Sequence, residues 1–120
     1  MAKVLIIDDT EQIRTLVGRF LGAKGYEVTS AENGELGVAA ARDQRPDLIL
    51  MDLNMPVMDG FKATRLIKDD PALSAIPVIA LTAEKDTESR MEIYDAGCDA
   101  FVQKPIDFPL LVNKMEDHLK

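Results

Sequence analysis

Hydrophobic positions along this chain follow two rhythms. Five short, nearly continuous apolar runs recur: VLII (4–7), YEVTSA (26–31), LILM (48–51), PVIAL (77–81) and AFVQ (100–103). Runs this apolar suit strands buried on both faces. The segments between them space apolar residues three and four apart, as one stripe of a helix does. The clearest stripe is Ile13, Leu16, Val17, Phe20 and Leu21, after which Gly25 can supply a left-handed C-cap. Residues 34–44 read as an Ala-rich helix with Leu36, Ala39, Ala40 and Asp43 along one stripe, stopped by RPD. DGFKATRLIKDDP reads as a third helix closed by Pro71, and residues 85–96 as a fourth ending at AGC. A fifth, from about 107, carries Phe108, Leu111, Val112, Met115 and Leu119 on one side. Strict β-α alternation predicts an α/β fold: a single five-stranded parallel sheet, doubly wound, with βα repeated five times. With no linker, repeat or low-complexity tract, residues 1–120 are expected to form one domain.

That fold directs attention to the carboxyl ends of the strands, beyond which open parallel sheets bind ligands. Asp8 and Asp9 follow the first strand. Asp52 and then Asn54 follow the third, Thr82 and Glu84 the fourth, and Lys104 with Pro105 the fifth. A single acid after a strand can simply cap a helix, as Asp9 or Thr10 could. Three carboxylates brought together are different. Within about 5 Å they repel by roughly 3 kcal/mol per pair at an effective dielectric near 20. A cation is therefore expected among them. Oxygen ligands without His or Cys suit a hard octahedral ion such as Mg²⁺. A carboxylate can also be a nucleophile toward phosphorus, and phosphoryl transfer mainly requires its equatorial oxygens to be positioned and neutralised. Mg²⁺, the Lys104 ammonium and the Thr82 hydroxyl could each take one oxygen, which describes a phosphoryl acceptor site.

Composition narrows the classes further. The 120 residues carry a formal net charge of −7, which argues against direct nucleic-acid binding. Cys98 is the only cysteine, so no internal disulfide forms and a reducing cytoplasm is the expected home. His118, the only histidine, lies far along the chain in MEDHLK and reads as part of a solvated helix face. No long apolar segment precedes the first acids, so neither a signal peptide nor a membrane span is expected.

The motifs IIDD, DLNMPVMDG, ALTAE and AGCDAFVQKP, at this spacing, resemble the receiver domains of two-component response regulators, of the stand-alone chemotaxis-regulator type. The resemblance runs from Lys3 to the last helix and implies a flavodoxin-like sheet. It implies that Asp52 is the phosphoacceptor. Asp9, Asp52 and the backbone carbonyl of Asn54 would bind Mg²⁺ (Mn²⁺ can substitute), with Asp8 helping partly through water. Thr82 and Lys104 would contact the phosphoryl group, and Thr82 with Phe101 would form the switch. Asn54 and Glu84 would flank the hydrolytic water and tune the signal's lifetime, and Ala83 fits the small position beside the Thr. Pro105 matches a proline preceded by a cis bond, a state that only X-Pro adopts cheaply. In NMPVMDG, Pro56 and Gly60 bracket a tight loop where Gly60 can adopt a conformation costly for other residues. Met51, Met55 and Met58 read as packing.

The implied donor is a sensor histidine kinase or a phosphotransfer protein. The implied output is docking of a partner on the face of helix four, strand five and helix five. The chain ends about fifteen residues after Lys104, yet an N-terminal receiver of a longer regulator, such as a diguanylate cyclase, stays open. Apart from self-phosphorylation and self-dephosphorylation, no enzyme activity is expected. An aspartate-nucleophile phosphohydrolase of the haloacid-dehalogenase type fits less well, because Asn54 stands where its second Asp belongs and the acidic pair precedes the Lys. A flavin carrier would need a Ser/Thr/Gly phosphate loop where this chain has DDTEQ.

Overall fold

The computed structural model describes residues 2–55, 57–83 and 87–119. Strands and helices alternate as β1 (Lys3–Ile7), α1 (Glu11–Ala23), β2 (Glu27–Ala31), α2 (Gly34–Gln44), β3 (Leu48–Asp52), α3 (Gly60–Asp69), β4 (Val78–Thr82), α4 (Thr87–Asp95), β5 (Ala100–Gln103) and α5 (Phe108–Leu119). All strand pairs are parallel, in the order β2-β1-β3-β4-β5. The direction of winding reverses between β1 and β3, which makes their carboxyl ends the place where connections diverge.

Because side chains alternate across a strand, the apolar runs feed two cores. Leu5, Ile7, Ile49, Met51, Val78 and Ala80 face one side, covered by α2, α3 and, through Ile93, α4. Val4, Ile6, Leu48, Leu50, Ile79, Leu81, Ala100 and Val102 face the other, covered by α1 and α5. The predicted doubly wound sheet is thus present. β2 departs from the expectation of burial on both faces: it is an edge strand in which only Ala31 is buried.

Two helix stripes also differ. On α1, Val17 and Leu21 are buried, but Leu16 is 53% exposed and lies off the packed face. On α2 the expected stripe is wrong. Leu36 and Ala39 are exposed, and the buried residues are Gly34, Gly37, Val38 and Ala41. Close approach decides this: a Cβ on Gly37 would stand 2.5 Å from Ile7 Cδ1, so the helix lays its smallest residues on the sheet.

The helix ends follow local chemistry. α1 closes with Gly25 at φ 97°, its N–H donating to the Gly22 carbonyl and that of Tyr26 to the Leu21 carbonyl, a Schellman arrangement. Asn33 and Asp59 cap α2 and α3 by accepting from the N–H groups of Leu36 and Lys62. Residues 85 and 86 of the expected fourth helix lie outside the described residues. At the amino ends of β4 and β5, Lys68 Nζ donates to the carbonyls of Ser74 (3.2 Å) and Ile76 (2.8 Å) and to Asp99 Oδ2 (2.9 Å). The same Asp99 oxygen accepts the Val78 N–H at 2.8 Å. No described helix is long and apolar enough to cross a membrane.

Candidate functional site

Sheet register brings the acids together. Ile7 pairs with Met51, so the next residues on these neighbouring strands, Asp8 and Asp52, emerge side by side. Both are buried, while Asp9 stands exposed at the rim. One carboxylate oxygen from each of the three lies within 4.8 Å of the others. Asp8 is tied on every side. Its N–H donates to the Ala31 carbonyl, Oδ1 accepts the Thr10 N–H at 2.8 Å, and its carbonyl accepts Arg14 Nη1 at 2.6 Å.

Lys104 enters from the end of β5. Its N–H donates to the Thr82 carbonyl at 2.8 Å, and its Nζ stands 3.2 Å from Asp8 Oδ2 and 3.5 Å from Asp52 Oδ1. The Lys104–Pro105 bond is cis, as the sequence resemblance implied. Asp52 Oδ1 also accepts the Asn54 N–H at 3.1 Å. Thr82 is buried at the end of β4, and Ala83 is exposed beside it. Gly60 closes the floor for a different reason from the one expected. Its backbone is not left-handed; instead, an added Cβ would collide with the Asp52 carbonyl and stand 2.7 Å from Leu53 Cα. The left-handed backbone in this loop falls on Val57, at φ 70°. Pro56 and Glu84 lie outside the described residues.

Three carboxylates therefore face one ammonium. The cost concentrates on Asp52, whose pKa is raised to about 6, first by burial and then by the Asp8 charge. A hydrogen bond with the Asp9 carboxyl adds to the rise, while the Asn54 N–H and Lys104 oppose it. The donor set is oxygen only and carries excess negative charge, which fits a hard divalent ion such as Mg²⁺.

Phe101 lies half-buried on β5, on the same sheet face as Thr82, since Ala80 pairs with Phe101 and Thr82 with Gln103. Around its ring stand Arg90, Lys114 and Tyr94, none of which stood out in the sequence. Lys114 and Arg14 adjoin the apolar stripes of their helices, a position that suits packing and gives no sign of a polar target. Cys98 is buried, as expected of a small apolar residue, and burial pushes its thiol up to about 11.

Comparison with known proteins follows the same outline. The family model for the response regulator receiver domain matches residues 4–116. The polar-differentiation response regulator DivK of Brucella anthropi is 38% identical over 116 residues, covering 97% of this chain and 94% of that protein. Among solved structures, the Vibrio cholerae chemotaxis protein CheY4 superposes with a TM-score of 0.94 at 34% identity, covering 99% of each chain. The receiver domain of the Pseudomonas aeruginosa sensor histidine kinase PA1611 superposes with a TM-score of 0.91 at 32% identity, covering 98% of this chain and 97% of that one. That structure has a magnesium ion coordinated in its active site cleft.

Proposed function

Because the chain belongs to the response regulator receiver domain family, we propose that it is a phosphorylation-controlled switch of two-component signalling, one receiver unit whose phosphoacceptor is Asp52. The observation that carries this reading is the position of the Asp52 carboxylate, buried where the winding reverses, with Lys104 at 3.5 Å and two further carboxylates within 4.8 Å. In the transfer, an Asp52 oxygen forms a bond to phosphorus as the bond from phosphorus to the donor nitrogen breaks. A sensor histidine kinase or histidine phosphotransfer protein is the donor.

Lys104 is placed to leave Asp52 for a phosphoryl oxygen while keeping Asp8. The Thr82 hydroxyl lies at the neighbouring strand end for another. Asp9, Asp52 and the Asn54 carbonyl would hold Mg²⁺ or Mn²⁺, with Asp8 supporting; the magnesium-bearing Pseudomonas relative favours this assignment. The ion supplies charge neutralisation for the incoming phosphoryl oxygens. Movement of Thr82 toward the phosphoryl group opens space that Phe101 turns into, and the changed face of α4, β5 and α5 is read by a partner protein. A groove of about 290 Å³ lined by Arg90, Phe101, Gln103, Leu110 and Lys114 lies on that face. Asn54 and Glu84 set the lifetime of the phosphorylated state, and the cytoplasm is the compartment.

The test is phosphoryl uptake from acetyl phosphate with Mg²⁺, read by intact-mass spectrometry. One acid-stable, base-labile phosphoryl group is expected, absent from Asp52→Asn and blocked by chelation. The same adduct on Asp52→Asn at equal yield would remove Asp52 as the acceptor.

A further inference from the structure

We propose that Arg90 and Lys114 are positioning residues that hold the half-buried Phe101 ring against α4 and α5, here called its outward position, through its π face, so that two cations from different helices set how readily the switch turns; this rests on the phosphoacceptor reading of Asp52. The geometry is specific. Lys114 Nζ lies 5.1 Å from the ring centroid and the Arg90 guanidinium carbon 5.4 Å from it, both within cation–π range. Lys114 is fixed there, because its Nζ also donates to the Phe101 carbonyl at 2.6 Å. Tyr94, four residues after Arg90 and thus on the same helix face, meets the ring edge-on at 6.1 Å and 73°.

Among the described residues neither cation makes an ion pair, in a chain whose net charge is −7. The negative face of the aromatic ring is their shared partner. A phenylalanine has no hydroxyl, so no side-chain hydrogen bond can favour either orientation of the ring. What distinguishes outward from inward is then apolar burial, which favours the inside, against the two cations and the Tyr94 edge contact, which favour the outside. Turning inward gives up both cations, and losing one cation beforehand should raise the inward population about two- to fivefold. The same contacts join α4 to the sheet. Of its described residues Ile93 is buried, and Arg90 and Tyr94 lean on Phe101, so the ring's departure frees the outer face of α4.

The decisive experiment replaces Phe101 with phenylalanines carrying one, two and three ring fluorines. Fluorination weakens the π face stepwise while nearly preserving ring shape. Fluorine NMR of the unphosphorylated protein should show an inward population that rises with each fluorine, and phosphoryl uptake from acetyl phosphate should quicken in parallel. In an Arg90→Met, Lys114→Met background the series should flatten, while Lys114→Arg should keep it. A flat series in the native background, or an equally steep one in the double-Met background, would overturn the clamp. If no variant takes a phosphoryl group on Asp52, the phosphoacceptor reading fails separately, and the fluorine spectra of the unphosphorylated proteins still decide the clamp.

Discussion

Two lysines mark the two ends of the sheet, in opposite charge balance. At the amino ends of β4 and β5, Lys68 meets one carboxylate, Asp99, and two carbonyls, and Asp99 also takes the Val78 N–H. At the carboxyl ends, Lys104 meets Asp8 and Asp52, with Asp9 close by, so one ammonium faces three acids. The first arrangement is neutral and its donors and acceptors are matched. The second is short of positive charge, and Asp52 registers the deficit in its raised pKa. The backbones differ in the same sense. Against Lys68 the left-handed position is filled by Gly97, at φ 108°, whereas in the loop that follows Asp52 it is filled by the β-branched Val57 at φ 70°. A balanced, unstrained ion pair holds strands together; an unbalanced one beside strained backbone is a site that an incoming charge can complete.

The comparison can be broken most forcefully at Asp99. In Asp99→Ala the Lys68 ammonium loses its anion and the Val78 N–H its acceptor. Lys68 is 18% and Asp99 36% exposed, so solvent repairs part of the damage. A loss of about 2 kcal/mol is expected, read from the urea midpoint at constant slope. An unchanged midpoint would place this pair with surface bridges that contribute nothing measurable.

At the other end the sign reverses. Asp52→Asn should stabilise the metal-free protein at pH 7–8, because it removes a buried charge held against another. The folded pKa of about 6 lies above the ordinary carboxylate value of 3.8. Between those values the folded state therefore binds more protons than the unfolded chain. Stability from protonated Asp52 is fully present below about pH 4 and is lost as pH rises through 6. The full shift corresponds to about 3 kcal/mol, and screening at the open rim reduces this to about 1–2 kcal/mol. Thermal melts in EDTA from pH 4 to 8 should show wild type and Asp52→Asn nearly coincident at pH 4, separating as pH rises from 4 through 6, and keeping that gap above it. Parallel curves would show that Asp52 is not the residue bearing the deficit.

How much of this could be read beforehand follows from where each signal lies. The acids were legible because an apolar strand running into Asp8 and Asp9, or into Asp52, is a local pattern, and the fold aims those strand ends at one place. The inner face of α2 was not, because Gly34, Gly37 and Ala41 carry almost no hydrophobic signal. Contact with Met58 and Ile7, distant in the chain, chooses that face. The Lys68–Asp99 pair joins residues 31 apart at the strand starts, where no ligand rule directs the eye. The cations around Phe101 come from α4 and α5 and meet only once the sheet is wound.

Adding the missing charge should sharpen the contrast. At ten times its dissociation constant, Mg²⁺ should stabilise the wild type by about 1.4 kcal/mol through binding linkage, raising the melting temperature by several degrees. Asp9→Asn should lose most of that rise. Lys68→Met, far from the acids, should melt lower yet gain from Mg²⁺ as the wild type does. A rise of equal size in Asp9→Asn would place the ion elsewhere.

The smallest expected effect is at Val57, 80% exposed in the β3–α3 loop. Left-handed backbone costs an L-residue about 1–2 kcal/mol, and more rotamer crowding arises when Cβ is branched. Glycine removes that cost but adds chain entropy to the unfolded state, whereas asparagine tolerates the conformation and keeps most of the restriction. Val57→Asn should therefore stabilise by about 0.5–1 kcal/mol and Val57→Gly by somewhat less. Both should raise the denaturant midpoint without changing its slope. The matching substitution at the other end, Gly97→Ala, should destabilise, since its Cβ would meet Lys68 Cγ at 2.8 Å on backbone already left-handed. If the strained valine serves the site, Val57→Asn will also alter phosphoryl uptake by Asp52 from acetyl phosphate. Unchanged uptake with raised stability would mark the strain as tolerated rather than used, and would confine the difference between the two ends to their charges.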